Sequence, residues 1–141
     1  ERWIDVDLER QLLVAYEGDV PVYATLVSSG KRGTAEESFL TPKGQYRITA
    51  KHVSSSMDGN AASDGRYSIQ DVPWAMFFSG NYALHGAFWH RKFGERRSHG
   101  CVNLGPSDAR WLFWWTTPFV PEGWHGVNAH DGAPGSMVVI H

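Results

Sequence analysis

The N-terminal third alternates apolar and polar residues with period two, and this constrains the fold more than any other feature of the chain. Trp3-Ile4-Asp5-Val6-Asp7-Leu8 puts Ile4, Val6 and Leu8 on one face. Gln11 to Tyr16 repeats the pattern, and Val20 to Val27 is rich in β-branched residues. Glu17-Gly18-Asp19 reads as a tight hairpin turn. Gly44 to Lys51 predicts a further strand with Tyr46, Ile48 and Ala50 on one face. Trp74 to Phe78 and Tyr82 to His85 predict two more, joined through Ser79-Gly80-Asn81, and Met137 to Ile140 predicts a last, buried strand. His52 to Arg66 reads as a long loop from its serine run and its Met57-Asp58-Gly59-Asn60 and Ser63-Asp64-Gly65 stretches.

One helix is expected. Gly105 serves as N-cap, Pro106 fits the first helical position, and Asp108 suits the positive N-terminal end. Thr116-Thr117-Pro118 ends it. Trp111, Trp114 and Trp115 sit at helical spacing and read as core packing. The expected fold is therefore all-β, a sandwich or barrel with one main short helix. Fifteen glycines, seven prolines and seven tryptophans suit such a strand-and-turn protein.

The 141 residues fit a single domain, 1–141, whose core needs no disulfide or metal. The net charge of −2 supplies no basic field to hold nucleic acid. Lys and Arg do gather locally, at Arg91, Lys92, Arg96 and Arg97, either as a solvated loop or as a surface that meets an acidic substrate. One cysteine excludes an internal disulfide. No apolar run approaches the ~20 residues that span a bilayer. Without an initiator Met or a signal peptide, the chain reads as a processed form or an excised domain of a longer exported protein.

Chemistry concentrates in Ser98-His99-Gly100-Cys101-Val102-Asn103-Leu104, preceded by His85-Gly86. A thiol attacks acyl groups as thiolate, so it needs a base or a positive environment. His99 and His85 are the near candidates; on a strand, His99 would share the face of Cys101. Gly100 permits close approach, and N–H groups around Gly100 and Cys101 suit an oxyanion hole.

These residues resemble the L,D-transpeptidase catalytic domain, or YkuD domain. The family pattern is a His-Gly pair, a spacer, and a Ser-His-Gly-Cys run ending in an Arg-or-Asn position and Leu or Met. The Thr41-Pro42-Lys43-Gly44 turn, Pro73-Trp74-Ala75-Met76 and the helix opening Pro106-Ser107-Asp108-Ala109 are also similar to the family. The resemblance implies a β-rich enzyme of the bacterial envelope, outside the cytoplasmic membrane. It would act on peptidoglycan stem peptides through a cysteine thioester, forming 3→3 cross-links or attaching protein, with carbapenems as inhibitors and further domains in the full-length protein. Cys101 would be the nucleophile, and His85 the base, oriented by a backbone carbonyl near Gly86. His99 would shape the pocket, and Gly100 would contribute to the oxyanion hole. Gly86, Ser98 and Asn103 would support or hold substrate. Trp74, Met76, Phe88, Trp89 and His90 would line the donor cleft, and either Tyr67 or Tyr82 would assist the oxyanion. No cofactor or metal is implied.

Three other readings stay open. One is a hydrolytic L,D-carboxypeptidase or endopeptidase. Another is a peptidoglycan-binding module with an inert thiol. The third is a zinc site drawn from His85, His90, His99 and Cys101, whose spacing matches no common zinc pattern.

Overall fold

The computed structural model describes residues 1–34, 38–57 and 69–141. Chain order among them is β1 (Arg2–Asp7), β2 (Leu12–Glu17), β3 (Val20–Leu26), β4 (Gly44–Arg47), β5 (Ala50–Met57), β6 (Ile69–Ser79), β7 (Tyr82–Gly86), β8 (Val102–Leu104), α1 (Pro106–Trp115), β9 (Gly126–Asn128) and β10 (Met137–Ile140). Two five-stranded sheets form, ordered β3-β2-β1-β10-β4 and β8-β7-β6-β5-β9. Both are mixed: β1 pairs parallel with β10, and β7 pairs parallel with β8.

The period-two pattern decides the inner faces. Ile4, Val6, Leu13, Ala15, Val138 and Ile140 of the first sheet are buried, and they meet Met76, Phe78, Leu84, Val102 and Leu104 of the second. Burying each larger aliphatic side chain contributes about 1.5–3 kcal/mol. The final strand is half-buried, since Met137 and Val139 lie on its other face. Helix α1 packs Leu112 and Phe113 into the same core and rests on Trp74 of β6. Its first turn is tied to β3, where the Tyr23 and Thr25 hydroxyls both donate to the Asp108 carboxylate, Thr25 at 2.9 Å.

Three expectations need correction. Gly44 to Lys51 is not one strand: the chain breaks pairing at Ile48 and Thr49, where β4 leaves the first sheet and β5 enters the second. Ile48 N–H donates to Ser136 O and Thr49 N–H to Phe77 O, so each residue serves a different sheet. The predicted loop from His52 begins instead as strand, because β5 pairs with β6 and, over its first residues, with β9; cross-strand partners override serine's low strand preference. Residues 58–66 of that loop lie outside the described residues. The tryptophan group also divides: Trp115 is buried, whereas Trp111 and Trp114 are 36% and 45% exposed. Only one face of α1 meets the core, so these two rings stack outward, Trp111 on Tyr23 and Trp114 against Trp74.

Lys51 is fully buried. Its Nζ donates to Phe113 O, to Thr116 O at 2.9 Å and to Thr116 Oγ1 at 3.3 Å. These acceptors belong to the last turn and C-cap of α1, where carbonyls lack helical partners. An ammonium there also opposes the negative end of the helix. Burial pushes the amine down from 10.5 to about 7. The unfolded chain keeps that proton to about pH 10.5, so between about pH 7 and 10.5 it binds more proton than the fold, and this group's contribution to stability rises with pH. Lys51→Met keeps the volume but orphans the carbonyls. It should lower unfolding free energy by about 2–4 kcal/mol. Urea melts should show the wild-type advantage widening from about pH 7 to about pH 10.

Candidate active site

The second sheet brings Cys101 and His85 to one face. In the parallel register Leu84 faces Val102, His85 faces Asn103 and Gly86 faces Leu104. Side chains two apart on a strand share a face, so Ala83 and His85 on β7 look the same way as Cys101 and Asn103. Cys101 accordingly packs with Val72, Ala75 and Ala83, and against Trp89 and Phe77. Trp74 and Met76 stand on the other side of β6, in the core beneath α1. They are thus placed away from Cys101, and the residues of β6 that do share its cluster, Val72, Ala75 and Phe77, had no motif to mark them.

The turn before Cys101 is held by its own side chains. Ser98 Oγ accepts the Gly100 N–H at 3.1 Å and donates to Cys101 O. Thr41 Oγ1 donates to Gly100 O at 2.7 Å and accepts the Gly30 N–H at 2.9 Å. Gly100 has φ +136°, and a Cβ there would lie 2.2 Å from Cε1 of Tyr82. Both backbone and ring therefore demand glycine. Of the two tyrosine candidates, Tyr82 lies against Gly100, while Tyr67 is outside the described residues. His99 is nearly buried and meets Phe39 edge-on at 4.4 Å.

His85 is fully buried, with Nδ1 2.9 Å from Gly86 O. A carbonyl only accepts, so Nδ1 carries the hydrogen and Nε2 presents a lone pair. Burial pushes the imidazole down to about 4, against a smaller upward pull from Gly86 O. Burial likewise pushes the Cys101 thiol up to about 12, partly offset by the Ala83 N–H donated to Sγ at 3.3 Å. The resting pair is therefore neutral thiol and neutral imidazole. The thiol hydrogen points to Asn81 O, with Sγ 3.6 Å away, instead of to Nε2.

Among the described residues, three buried polar atoms have no hydrogen-bond partner: His85 Nε2, Trp89 Nε1 and Asn103 Oδ1. The ring of Trp89 lies 5.8 Å from that of His85, and Asn103 Nδ2 is 3.3 Å from His90 Nε2. Leaving such atoms unpaired costs about 1–3 kcal/mol each, so their convergence marks a place built for a ligand. One donor and two acceptors beside the sheet face that carries Cys101 suit a peptide. Among the described residues, no three His, Cys, Asp or Glu side chains group to hold a metal ion. Phe88 is exposed at the rim.

A family model described as the L,D-transpeptidase catalytic domain, YkuD, matches residues 1–140. A Bacillus subtilis (strain 168) protein provisionally named L,D-transpeptidase YciB is 25% identical over 121 residues, covering 79% of this chain and 59% of that protein. An L,D-transpeptidase from Mycobacterium smegmatis is similar in structure with a TM-score of 0.74 at 20% identity, covering 100% of this chain and 58% of that one. L,D-transpeptidase 3 from Mycobacterium tuberculosis, in complex with a faropenem-derived adduct, gives 0.73 at 19% identity, covering 99% and 60%. The chain spans about three-fifths of the length of these relatives.

Two outcomes follow from the geometry. Gly100→Ala should lose at least about 2 kcal/mol of unfolding free energy, because φ and the Tyr82 ring both oppose a side chain. Denaturant titration reads this. Iodoacetamide should alkylate folded Cys101 with a rate that climbs through pH 7 to 10 without a plateau, since the thiol titrates at about 12. A plateau below pH 7, measured by intact mass, would instead reveal a preformed thiolate–imidazolium pair.

Proposed function

The chain belongs to the L,D-transpeptidase catalytic-domain family, and from that premise we propose that it is a cysteine acyltransferase acting on peptidoglycan stem peptides outside the cytoplasmic membrane. The observation that carries this reading is that Cys101 and the unpartnered Nε2 of His85 lie on the same face of the second sheet.

In this mechanism, donor binding draws the thiol from Asn81 O toward His85 Nε2. Sγ attacks the carbonyl that links the diaminopimelyl centre to the terminal D-Ala, while Nε2 takes the thiol proton. The Nδ1–H bond to Gly86 O stabilises the imidazolium that results. Because the groups start neutral, proton transfer accompanies attack and no charge is buried beforehand. The developing oxyanion is met by N–H groups of the Gly100–Cys101 turn, assisted by Tyr82. Gly100 N–H rests on Ser98 Oγ and must be shared with, or released to, the oxyanion. Trp89 N–H and Asn103 Oδ1 bond the donor's backbone. The tetrahedral intermediate then collapses, its C–N bond breaks, and D-Ala leaves with the proton from His85. An acceptor amine next attacks the Cys101 thioester, loses its proton to His85 and releases the thiol. The product is a 3→3 cross-link or a protein–peptidoglycan linkage.

Incubation with a carbapenem followed by intact-protein mass spectrometry tests the first half. The expected result is a gain of one drug molecule on wild type and none on Cys101→Ala. His85→Gln should slow that acylation by about 100- to 10,000-fold. If wild type gains no mass, a tetrapeptide donor must yield an acyl-enzyme or turnover, or the enzyme reading falls. With that donor, cross-linked dimer marks transfer, and tripeptide without dimer marks hydrolysis.

A further inference from the structure

A second concentration of chemistry lies next to the Gly100–Cys101 turn, reached through Thr41. A cavity of about 360 Å³ is lined by Leu8, Arg32, Leu40, Thr41, Lys43 and Arg96. Among the described residues its wall holds three cations and no carboxylate, in a chain whose acidic residues outnumber its basic ones by 15 to 13. Among the described residues, no carboxylate forms an ion pair with Arg32, Lys43 or Arg96. The neighbouring cavity shares Leu8, Arg32, Lys43 and Arg96 and adds His141, Arg10 and two carboxylates, Glu9 and Asp7, the latter already taken by Arg10 at 2.7 Å. Thr41 separates the first cavity from the catalytic turn, and its hydroxyl is bonded to Gly100 O.

We propose that this cavity binds free carboxylates of a peptide, as a subsite that anchors a stem peptide beside the Gly100–Cys101 turn. Three cations that line one cavity, none of them ion-paired to a carboxylate among the described residues, attract an anion, and arginine forks suit planar carboxylates. Leu8 and Leu40 set apolar walls beside the cations, which matches an amino-acid carboxylate carried on short methyl or methylene groups better than it matches a bare phosphate. The peptide identity of the ligand rests on the proposed function; the anion site itself stands on the cavity.

Isothermal titration with the tripeptide L-Ala-γ-D-Glu-meso-diaminopimelate tests it, beside the same peptide with its carboxylates amidated and beside inorganic phosphate. The acid form should bind at least about tenfold more tightly than the amide form, and binding should weaken as salt rises from about 50 to 300 mM. Arg32→Gln/Arg96→Gln should weaken the acid form by at least about tenfold, with Lys43→Gln in the same direction. Neither variant should change the melting temperature by more than a few degrees or the rate of carbapenem acylation at Cys101. Equal affinity of acid and amide forms, or full binding by the double variant, would overturn the site. Phosphate competing as well as the tripeptide would overturn the peptide assignment. Carbapenem acylation is read separately, so an inert Cys101 with intact tripeptide binding would remove the enzyme reading and leave the anion site standing.

Discussion

The site depends on the parallel pairing of β7 with β8. That register alone places Cys101 diagonally across from His85, because the two residues are separated in sequence by a connection with no regular structure. Side-chain direction has period two, so a slip of one residue would turn Cys101 and Asn103 to the opposite face. The short strand β8 is guarded against such a slip on its other side. Ser28 N–H donates to Asn103 O at 2.9 Å, and Asn103 N–H donates to Ser28 O at 2.8 Å. The connection is pinned by the same stretch, through Gly94 N–H to Val27 O and Arg97 N–H to Ser29 O. The residues after β3 thus act as the template on which the Cys101 segment is laid.

Burial sets the chemistry that this frame permits. An isolated buried ion is costly, so the fold keeps both members of the pair neutral, with the thiol high and the imidazole low. Stability and reactivity are thereby separated in time. The protein holds no buried charge at the thiol, and in the proposed mechanism charge separation arises only when a substrate supplies its own polar groups. The same reasoning applies to Lys51, whose buried amine is tolerated because the C-terminal carbonyls of α1 need donors.

Much of the fold was legible because period two is a direct image of a sheet with one buried face. β1, β2, β3, β7 and α1 appear close to where the alternation and the Gly-Pro start place them. The extent of β6 was hidden by Pro73. It is tolerated there because β7 pairs only with residues from Met76 onward, leaving that edge open. β9 carries a Gly and an Asn and is defined only by its pairing with β5. At the site, the motif residues declare themselves through glycine flanks and a lone thiol. The cleft side chains do not, since Trp74 and Val72 differ in face by the local geometry of β6, with positive φ at Asp71 and Trp74, and no sequence period reports that. Lys51 was read only as a strand terminus because burial of a cation depends on a helix more than sixty residues away in the chain.

The contact between Gly100 and Tyr82 limits what a second substitution can rescue. Two independent locks act on one position: a backbone angle that disfavours any side chain, and a ring that occupies the space a side chain would need. A smaller residue at 82 would open only the second. A substitution at 82 therefore cannot by itself make room for a side chain at 100, because the backbone angle still opposes it. The demand for glycine at 100 is thus a demand of the turn's geometry, separate from any demand its chemistry makes.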